Sequence, residues 1–366
     1  MNMGDNTEAG RLLFAAGGTG GHMFPAQALA EILKAQGWEI ALMTDARGRK
    51  HCGRIPADPV VEVEAASISP RKPFQAIKGV FKLMRGVRQA KAFIRDWKPD
   101  VVVGFGGYPA FPAMRAAQSA GLPTILHEQN AVLGRVNRVF AAKATHVVSG
   151  FEELQKVSPK AQVQCLGNPM RDQIVQAVPA RYIPPSKQIN LLIVGGSLGA
   201  RILSQTLPKA VASLPADMRA RLSVVQQTTE SELTKARKAY ADAGVVALCE
   251  TFFSDIEIHL AKAHYVVARA GASSVSEIAL MGKPSLLIPL AIAMDDHQTV
   301  NARSLESHEA ADILPESEFT AEAVANILKD RLNDSNWLSS AAASARALGR
   351  PTAAQDLARL VVTTVN

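Results

Sequence analysis

Cysteine is scarce in this 366-residue chain: Cys52, Cys165 and Cys249 are odd in number, scattered, and form no Cys-x-x-Cys pair. Neither a disulfide framework nor a thiolate zinc site is indicated, which places the chain in a reducing cytoplasm. No stretch approaches the roughly 18 uninterrupted apolar residues of a spanning helix, and polar Met1 to Gly10 lacks the apolar core of a signal peptide. Secretion and integral membrane insertion are not expected. Low-complexity tracts are absent as well, and 48% apolar residues are those of a folded globular protein. No Asp-x-Asp and no His-x-x-x-His spacing occurs, so no metal ligand set and no bound cofactor are expected.

Charge is not spread evenly. The net +7 comes from one segment, Arg71 to Lys98, where nine Lys or Arg face the single acid Asp96, leaving 31 basic and 32 acidic residues elsewhere. Phe74, Ile77, Phe81 and Met84 recur there at three, four and three, so on a helix they form one apolar stripe beside Lys78, Lys82 and Arg85. Such a helix suits an anionic bilayer surface, and the competing reading packs the stripe on its own domain with a solvated basic face. The aromatics do not interleave as a base-stacking platform, so nucleic acid is not expected as a partner.

The length exceeds the roughly 250 to 300 residues at which single cores stop growing, so two domains are expected. Two glycine turns of similar design support this, Gly17-Gly18-Thr19-Gly20-Gly21-His22 and Gly195-Gly196-Ser197-Leu198-Gly199-Ala200. Each follows an apolar run that reads as a strand, Leu12 to Ala16 and Ile189 to Val194, and precedes a helix, Pro25 to Ala35 and Ala200 to Leu207. Strand, glycine turn and helix together bind anions, because glycine admits close approach and the helix N-terminus offers unpaired N–H groups. Further strands are expected at 39–44, 100–105, 123–128 and 146–149, then at 222–226, 245–249, 264–268 and 285–288, alternating with helices as in doubly wound α/β sheets. The proline-rich stretch 168–185 is the expected seam. The division is thus 1–170, with the last helix of 350–366 packing back on it, and 171–349.

Four constellations carry candidate chemistry. His22, at the start of a helix behind a glycine turn, is a candidate base or hydrogen-bond donor. His127-Glu128-Gln129-Asn130 stands at the carboxyl end of an apolar strand, where polar residues are costly unless they face a ligand. Glu128 is there a candidate general base or orienting carboxylate. In Arg269 to Glu277, Ser274 and Glu277 fit a capping box, and the rival reading gives Glu277 to the two ribose hydroxyls of a nucleotide, with Ala272 and Ser273 letting the diphosphate approach. Asp295-Asp296-His297-Gln298-Thr299-Val300-Asn301 follows another strand, and Gln298 on a bound sugar is preferred to a metal site there. A dinucleotide fingerprint fails at both turns, which would need glycine at Met23 and at Ser197.

Gly-Gly-Thr-Gly-Gly-His with Pro25, Gly104-Phe105-Gly106-Gly107-Tyr108, His127 to Asn130, Gly167-Asn168-Pro169-Met170-Arg171, Gly-Gly-Ser-Leu-Gly-Ala and Ser273 to Glu277 follow one another in this order. Together they resemble the MurG family, inverting glycosyltransferases of peptidoglycan and cell-wall synthesis, over nearly the whole chain. The resemblance implies a GT-B fold, two Rossmann-like domains facing a cleft. It implies transfer from UDP-N-acetylglucosamine (UDP-GlcNAc) to the muramoyl 4-hydroxyl of the lipid-linked muramoyl-pentapeptide, without a metal, by a protein peripheral to the inner face of the cell membrane. Other cell-wall synthesis and division proteins are candidate partners. It implies Gly196, Ser197 and Arg171 at the diphosphate, Glu277 at the ribose, Phe253 beside the uracil and Gln298 at the sugar. On the N-terminal half it implies Gly18, Tyr108 and Gln129 on the acceptor, with His22 and Glu128 as alternative bases. Thr19 and Asn130 would line that half too and, with Gly20 and Gly21, reach the donor. Two departures stand out: Leu198 and His297 occupy places where the family usually has glutamine. A UDP-sugar epimerase of the same fold and a non-catalytic membrane scaffold are the alternatives.

Overall fold

The structure is a computed structural model describing residues 9–17, 20–50, 52–53, 55–66, 73–196 and 201–365, with backbone alone for 20–21 and 73–77. Two compact units divide the chain: residues 1–171 with 351–366, and residues 172–350.

The first unit holds seven parallel strands, β1 (Arg11–Ala15), β2 (Glu39–Thr44), β3 (Val60–Glu62), β4 (Val101–Gly104), β5 (Thr124–Glu128), β6 (His146–Ser149) and β7 (Val163–Cys165). Their order is β3-β2-β1-β4-β5-β6-β7. The chain winds outward in both directions from the β1/β4 pair, which makes the carboxyl ends of these two strands the switch point where open α/β sheets bind ligands. Both faces of the sheet are covered, which is why β1 and β4 are apolar runs without alternation and every residue of β5 is buried. On one face, Leu12, Phe14 and Val103 pack with Leu29 and Leu33 of helix Gly20–Ala35 and with Leu357, Ala358 and Val361 of helix Ala353–Val365. On the other, Leu13, Val102 and Leu126 pack with helices Pro73–Trp97, Ala110–Ser119 and Arg135–Phe140.

The second unit repeats the plan with β8 (Ile189–Val194), β9 (Leu222–Gln227), β10 (Val246–Glu250), β11 (Tyr265–Arg269), β12 (Ser285–Ile288) and β13 (Ala311–Ile313), in the order β10-β9-β8-β11-β12-β13. Its switch point lies between β8 and β11. Helix Arg201–Ala212 follows the second glycine turn, helix Ala272–Met281 follows β11 and helix His297–Glu306 follows β12.

Three expectations are corrected. The first helix begins at Gly20, five residues before Pro25, so the glycine turn itself feeds the first helical turn. The capping box is absent: helix Ala272–Met281 is capped by Gly271, without a side-chain cap bond, and Ser274 is its third residue. The stripe of the Pro73–Trp97 helix is not packed inward at its described positions, because Phe81 and Met84 are exposed while Leu83, Ala90 and Ile94 are buried instead.

Candidate functional site

Strand alternation decides where the polar cluster of β5 goes. Side chains of successive strand residues point to opposite faces, and Ile125 and Leu126 already lie in different core clusters. His127 and Gln129 therefore turn toward the Gly20–Ala35 helix, and Glu128 toward the Arg135–Phe140 helix. His127 is fully buried against the Phe105 ring, 5.6 Å between centroids, and its Nε2–H donates to Gly167 O at 3.2 Å. Burial pushes its pKa down to about 4, only partly offset by the Gly167 bond and lowered further by the nearby His22. His127 is thus a neutral structural histidine.

Glu128 is also buried, and both its oxygens are in use. Oε1 accepts from the Asn130 backbone N–H at 3.1 Å and from its side-chain amide at 3.2 Å, while Oε2 accepts from Gly134 N–H at 2.8 Å and Asn137 Nδ2 at 2.9 Å. Four donors fill the roughly four lone-pair directions of a carboxylate. The geometry is that of an orienting group that folds the 130–134 loop back onto β5, and it leaves no lone pair for a substrate proton.

His22 stands half-buried in the first turn of its helix, and its Nδ1 lies 3.0 Å from Gln129 Nε2. Gln129 Nε2 also reaches Phe105 O at 3.3 Å, and its backbone carbonyl accepts from Asn168 Nδ2 at 3.0 Å. Gly106 and Gly107, at φ +83 and +75, turn the chain sharply after β4, in the left-handed region that favours glycine. A methyl group at Gly107 would lie 3.5 Å from His22 Nε2 and 3.4 Å from Gly17 O, so the imidazole sits between the turns that follow β1 and β4. Tyr108 is half-buried beside the adjoining core, and Arg171 lies over the Phe24 ring at 5.0 Å. The switch point of the first unit thus gathers His22, Gln129 and the Gly106–Gly107 turn, with Glu128 holding the loop that carries Asn130. Gly20 and Gly21 form the start of the helix. Gly18 and Thr19 lie outside the described residues.

At the switch point of the second unit, Gly196 has φ +83, and the preceding Gly195 N–H donates to Gln227 Oε1 at 3.2 Å. Gln227 Nε2 in turn reaches Thr251 O at 3.3 Å, tying the ends of β8, β9 and β10 together. Ser197, Leu198, Gly199 and Ala200 lie outside the described residues. Across the pair, Arg269 is buried and donates to Ile288 O, Pro289 O and Glu316 Oε2 at 3.2, 3.3 and 3.1 Å. Burial alone would raise the pKa of Glu316, but hydrogen bonds from Arg269 and Ala291 N–H and the Arg269 charge hold it below the usual carboxylate range. Asn301 Nδ2 donates to Ala270 O at 3.1 Å. Ala272, Ser273 and Glu277 occupy the first two turns of the helix that these contacts position. Gln298 accepts from Leu290 N–H at 3.0 Å through Oε1, and the Phe253 ring is buried against His259 at 4.9 Å. Among the described residues no group of three or more His, Cys, Asp or Glu is placed to hold a metal ion.

Sequence reasoning missed Gln227, Glu316 and Asn137, all of which support the turns from elsewhere in the fold. Of these, Gln227 was signalled by its place at the end of β9. On the Pro73–Trp97 helix, Lys78, Phe81, Lys82, Met84 and Arg85 are all exposed, with Arg85 3.3 Å from Glu64, whereas the side chains of Phe74 and Ile77 lie outside the description. No described helix is long and apolar enough to cross a membrane.

The family model of the glycosyltransferase family 28 N-terminal domain matches residues 12–149 and that of its C-terminal domain residues 190–357. A protein of Maricaulis maris named UDP-N-acetylglucosamine–N-acetylmuramyl-(pentapeptide) pyrophosphoryl-undecaprenol N-acetylglucosamine transferase is 52% identical over 355 residues, 96% of each chain. The crystal structure of Acinetobacter baumannii MurG superposes with a TM-score of 0.80 at 29% identity, covering 97% of this chain and 99% of that one. The crystal structure of a UDP-N-acetylglucosamine 2-epimerase, at 13% identity and a TM-score of 0.66 over 97% of this chain and 96% of that one, shares the fold alone. With family models matching both halves of the chain, it belongs to glycosyltransferase family 28.

Proposed function

We propose that the chain is an inverting glycosyltransferase that moves N-acetylglucosamine from UDP-GlcNAc to the 4-hydroxyl of N-acetylmuramic acid in the undecaprenyl-pyrophosphoryl-linked pentapeptide. The observation that carries this is 52% identity over 96% of both chains to a relative named for that transfer. The acceptor oxygen attacks the anomeric carbon in line, a C–O bond forms as the bond to UDP breaks, and the electron pair leaves on the diphosphate. One group must take the hydroxyl proton, a contribution of about 10²- to 10⁴-fold. With the Glu128 carboxylate already filled by four donors, that role falls to His22. Glu128 instead orients Asn130 beside Tyr108 and Gln129 on the acceptor side. In the second unit the turn through Gly196 and Ser197 receives the diphosphate, Glu277 the ribose and Gln298 the sugar, and Arg171 of the first unit is assigned to the diphosphate as well. New charge on the leaving group is stabilised by helix N-terminal N–H groups and Arg171, in place of a metal.

The acceptor is lipid-linked, so the reaction is proposed at the inner face of the cytoplasmic membrane. Lys78, Phe81, Lys82, Met84 and Arg85 make the attachment, exposed cations flanking exposed apolar side chains on one helix. The test of the activity is transfer of labelled N-acetylglucosamine to a short-chain acceptor analogue in EDTA, with an acceptor-free control. Transfer that requires acceptor and survives the chelator is expected. Donor turnover without acceptor would overturn the reading in favour of an epimerase or hydrolase, and a loss in EDTA restored by magnesium would overturn its metal-free part.

A further inference from the structure

Gln129 makes two hydrogen bonds through one nitrogen, and together they fix where the proton on His22 resides. The Phe105 carbonyl can only accept, so the amide atom 3.3 Å from it is Nε2. The second hydrogen of that nitrogen is directed at His22 Nδ1, 3.0 Å away. Nδ1 is therefore an acceptor, and the neutral imidazole carries its proton on Nε2, on the edge that faces Gly107. Gln129 is buried, and its backbone carbonyl is held by Asn168. The other histidine nearby, His127, is neutral and spends its own N–H on Gly167 O, so it supplies no competing charge.

We infer that Gln129 is a positioning residue that sets the tautomer of His22. At rest His22 carries its proton on Nε2. It can take a proton at Nε2 only after its own proton has exchanged through water to Nδ1 and the Gln129 amide has turned its Oε1 toward that Nδ1–H. The turn gives up the long bond to Phe105 O. The acceptor hydroxyl proton then passes to Nε2, and the imidazolium is held by Gln129 Oε1 while the glycosidic C–O bond forms and the bond to UDP breaks. This rests on the reading above that His22 receives the acceptor proton.

The test begins with the ¹⁵N spectrum of histidine-labelled full-length protein, the His22 signals being identified by their loss in His22→Gln. Wild type should show an unprotonated Nδ1 and a protonated Nε2. Gln129→Glu, which can only accept, should move the proton to Nδ1. Gln129→Met, which can do neither, should lower kcat at least about tenfold with the KM for UDP-GlcNAc within about twofold, since a residue acting on a base affects the chemical step more than binding. A wild-type His22 protonated on Nδ1, an unchanged tautomer in Gln129→Glu, or a smaller loss of kcat in Gln129→Met would each overturn the inference. The spectra are taken without substrate, so they stand even if the wild type transfers no sugar, a result that would sink the proposed activity instead.

Discussion

Replacing Glu128 by glutamine separates a carboxylate that builds the site from one that performs the chemistry. The substitution keeps the shape and turns one oxygen into an NH₂, so two of the four donors around it, either the Asn130 pair or Gly134 N–H with Asn137 Nδ2, face another donor. A buried donor that loses its acceptor costs about 1–3 kcal/mol, giving about 2–6 kcal/mol for the pair. The cost falls on the 130–137 loop and helix start rather than on the whole chain. Two units need not unfold in a single transition, so a global melting point is the wrong reading and local hydrogen exchange the right one. At about 1.4 kcal/mol per tenfold, even the lower bound is about a thirtyfold loss of amide protection between residues 129 and 140. A carboxylate that served as base alone would give the opposite pattern, kcat down about 10²- to 10⁴-fold with the loop unchanged. Protection within about threefold of wild type in Glu128→Gln would refute the orienting role.

Other consequences are as direct. Unfolded His127 takes up a proton as pH falls through about 6.5, whereas folded His127 resists until about 4, so the first unit should lose stability across that window by up to about 1.4 kcal/mol per pH unit. His127→Asn should flatten the slope, read by denaturant midpoints at stepped pH. Reversing Lys78, Lys82 and Arg85 to glutamate removes at least about 1 kcal/mol of attraction per residue, so binding to anionic vesicles should weaken by about 150-fold or more; sedimentation with unchanged partition would contradict the membrane assignment. Glu277→Gln should raise the KM for UDP-GlcNAc by about 10- to 100-fold, the scale of a charged hydrogen bond, with much less effect on a 2′-deoxyuridine donor. Leu357→Ala, in the helix that closes the core of the first unit, should cost about 2–5 kcal/mol and expose amides of β1 and of helix Gly20–Ala35 to exchange.

Central strands were legible because burial on both faces leaves a continuous apolar run, and every expected strand lies within a residue or so of an observed one. The strands that escaped, β3, β7 and β13, are three residues long and stand at sheet edges, where half-exposed sequences such as Val-Gln-Cys and Ala-Asp-Ile carry no run to detect. The glycine turns and the polar end of β5 were legible as anomalies, glycine or charge placed where an apolar run should continue. What pairs with what was not. The capping box at Ser274 failed because Gly271 ends the loop three residues earlier, a matter of backbone path. Glu128 read equally as base or as anchor until Asn137, nine residues on, was seen donating to it.

The two switch points solve different problems with the same topology. In the first unit, Gln129 is buried, its backbone carbonyl is held by Asn168 and its side-chain amide reaches His22, so that one half-buried imidazole is held with a defined donor face. In the second, the buried side chains Gln227, Arg269 and Asn301 bond mostly to backbone groups: Gly195 N–H, Thr251 O, Ile288 O, Pro289 O and Ala270 O. They fix loops rather than reacting groups. A proton transfer needs its histidine held in place with a defined partner on the ring nitrogen opposite the reacting one, which the Gln129 side chain supplies. A diphosphate, by contrast, is held by backbone N–H groups and helix ends, for which the correct loop path is sufficient. The division of labour proposed for this enzyme, chemistry on the first sheet and donor binding on the second, follows from that difference in what each set of hydrogen bonds constrains.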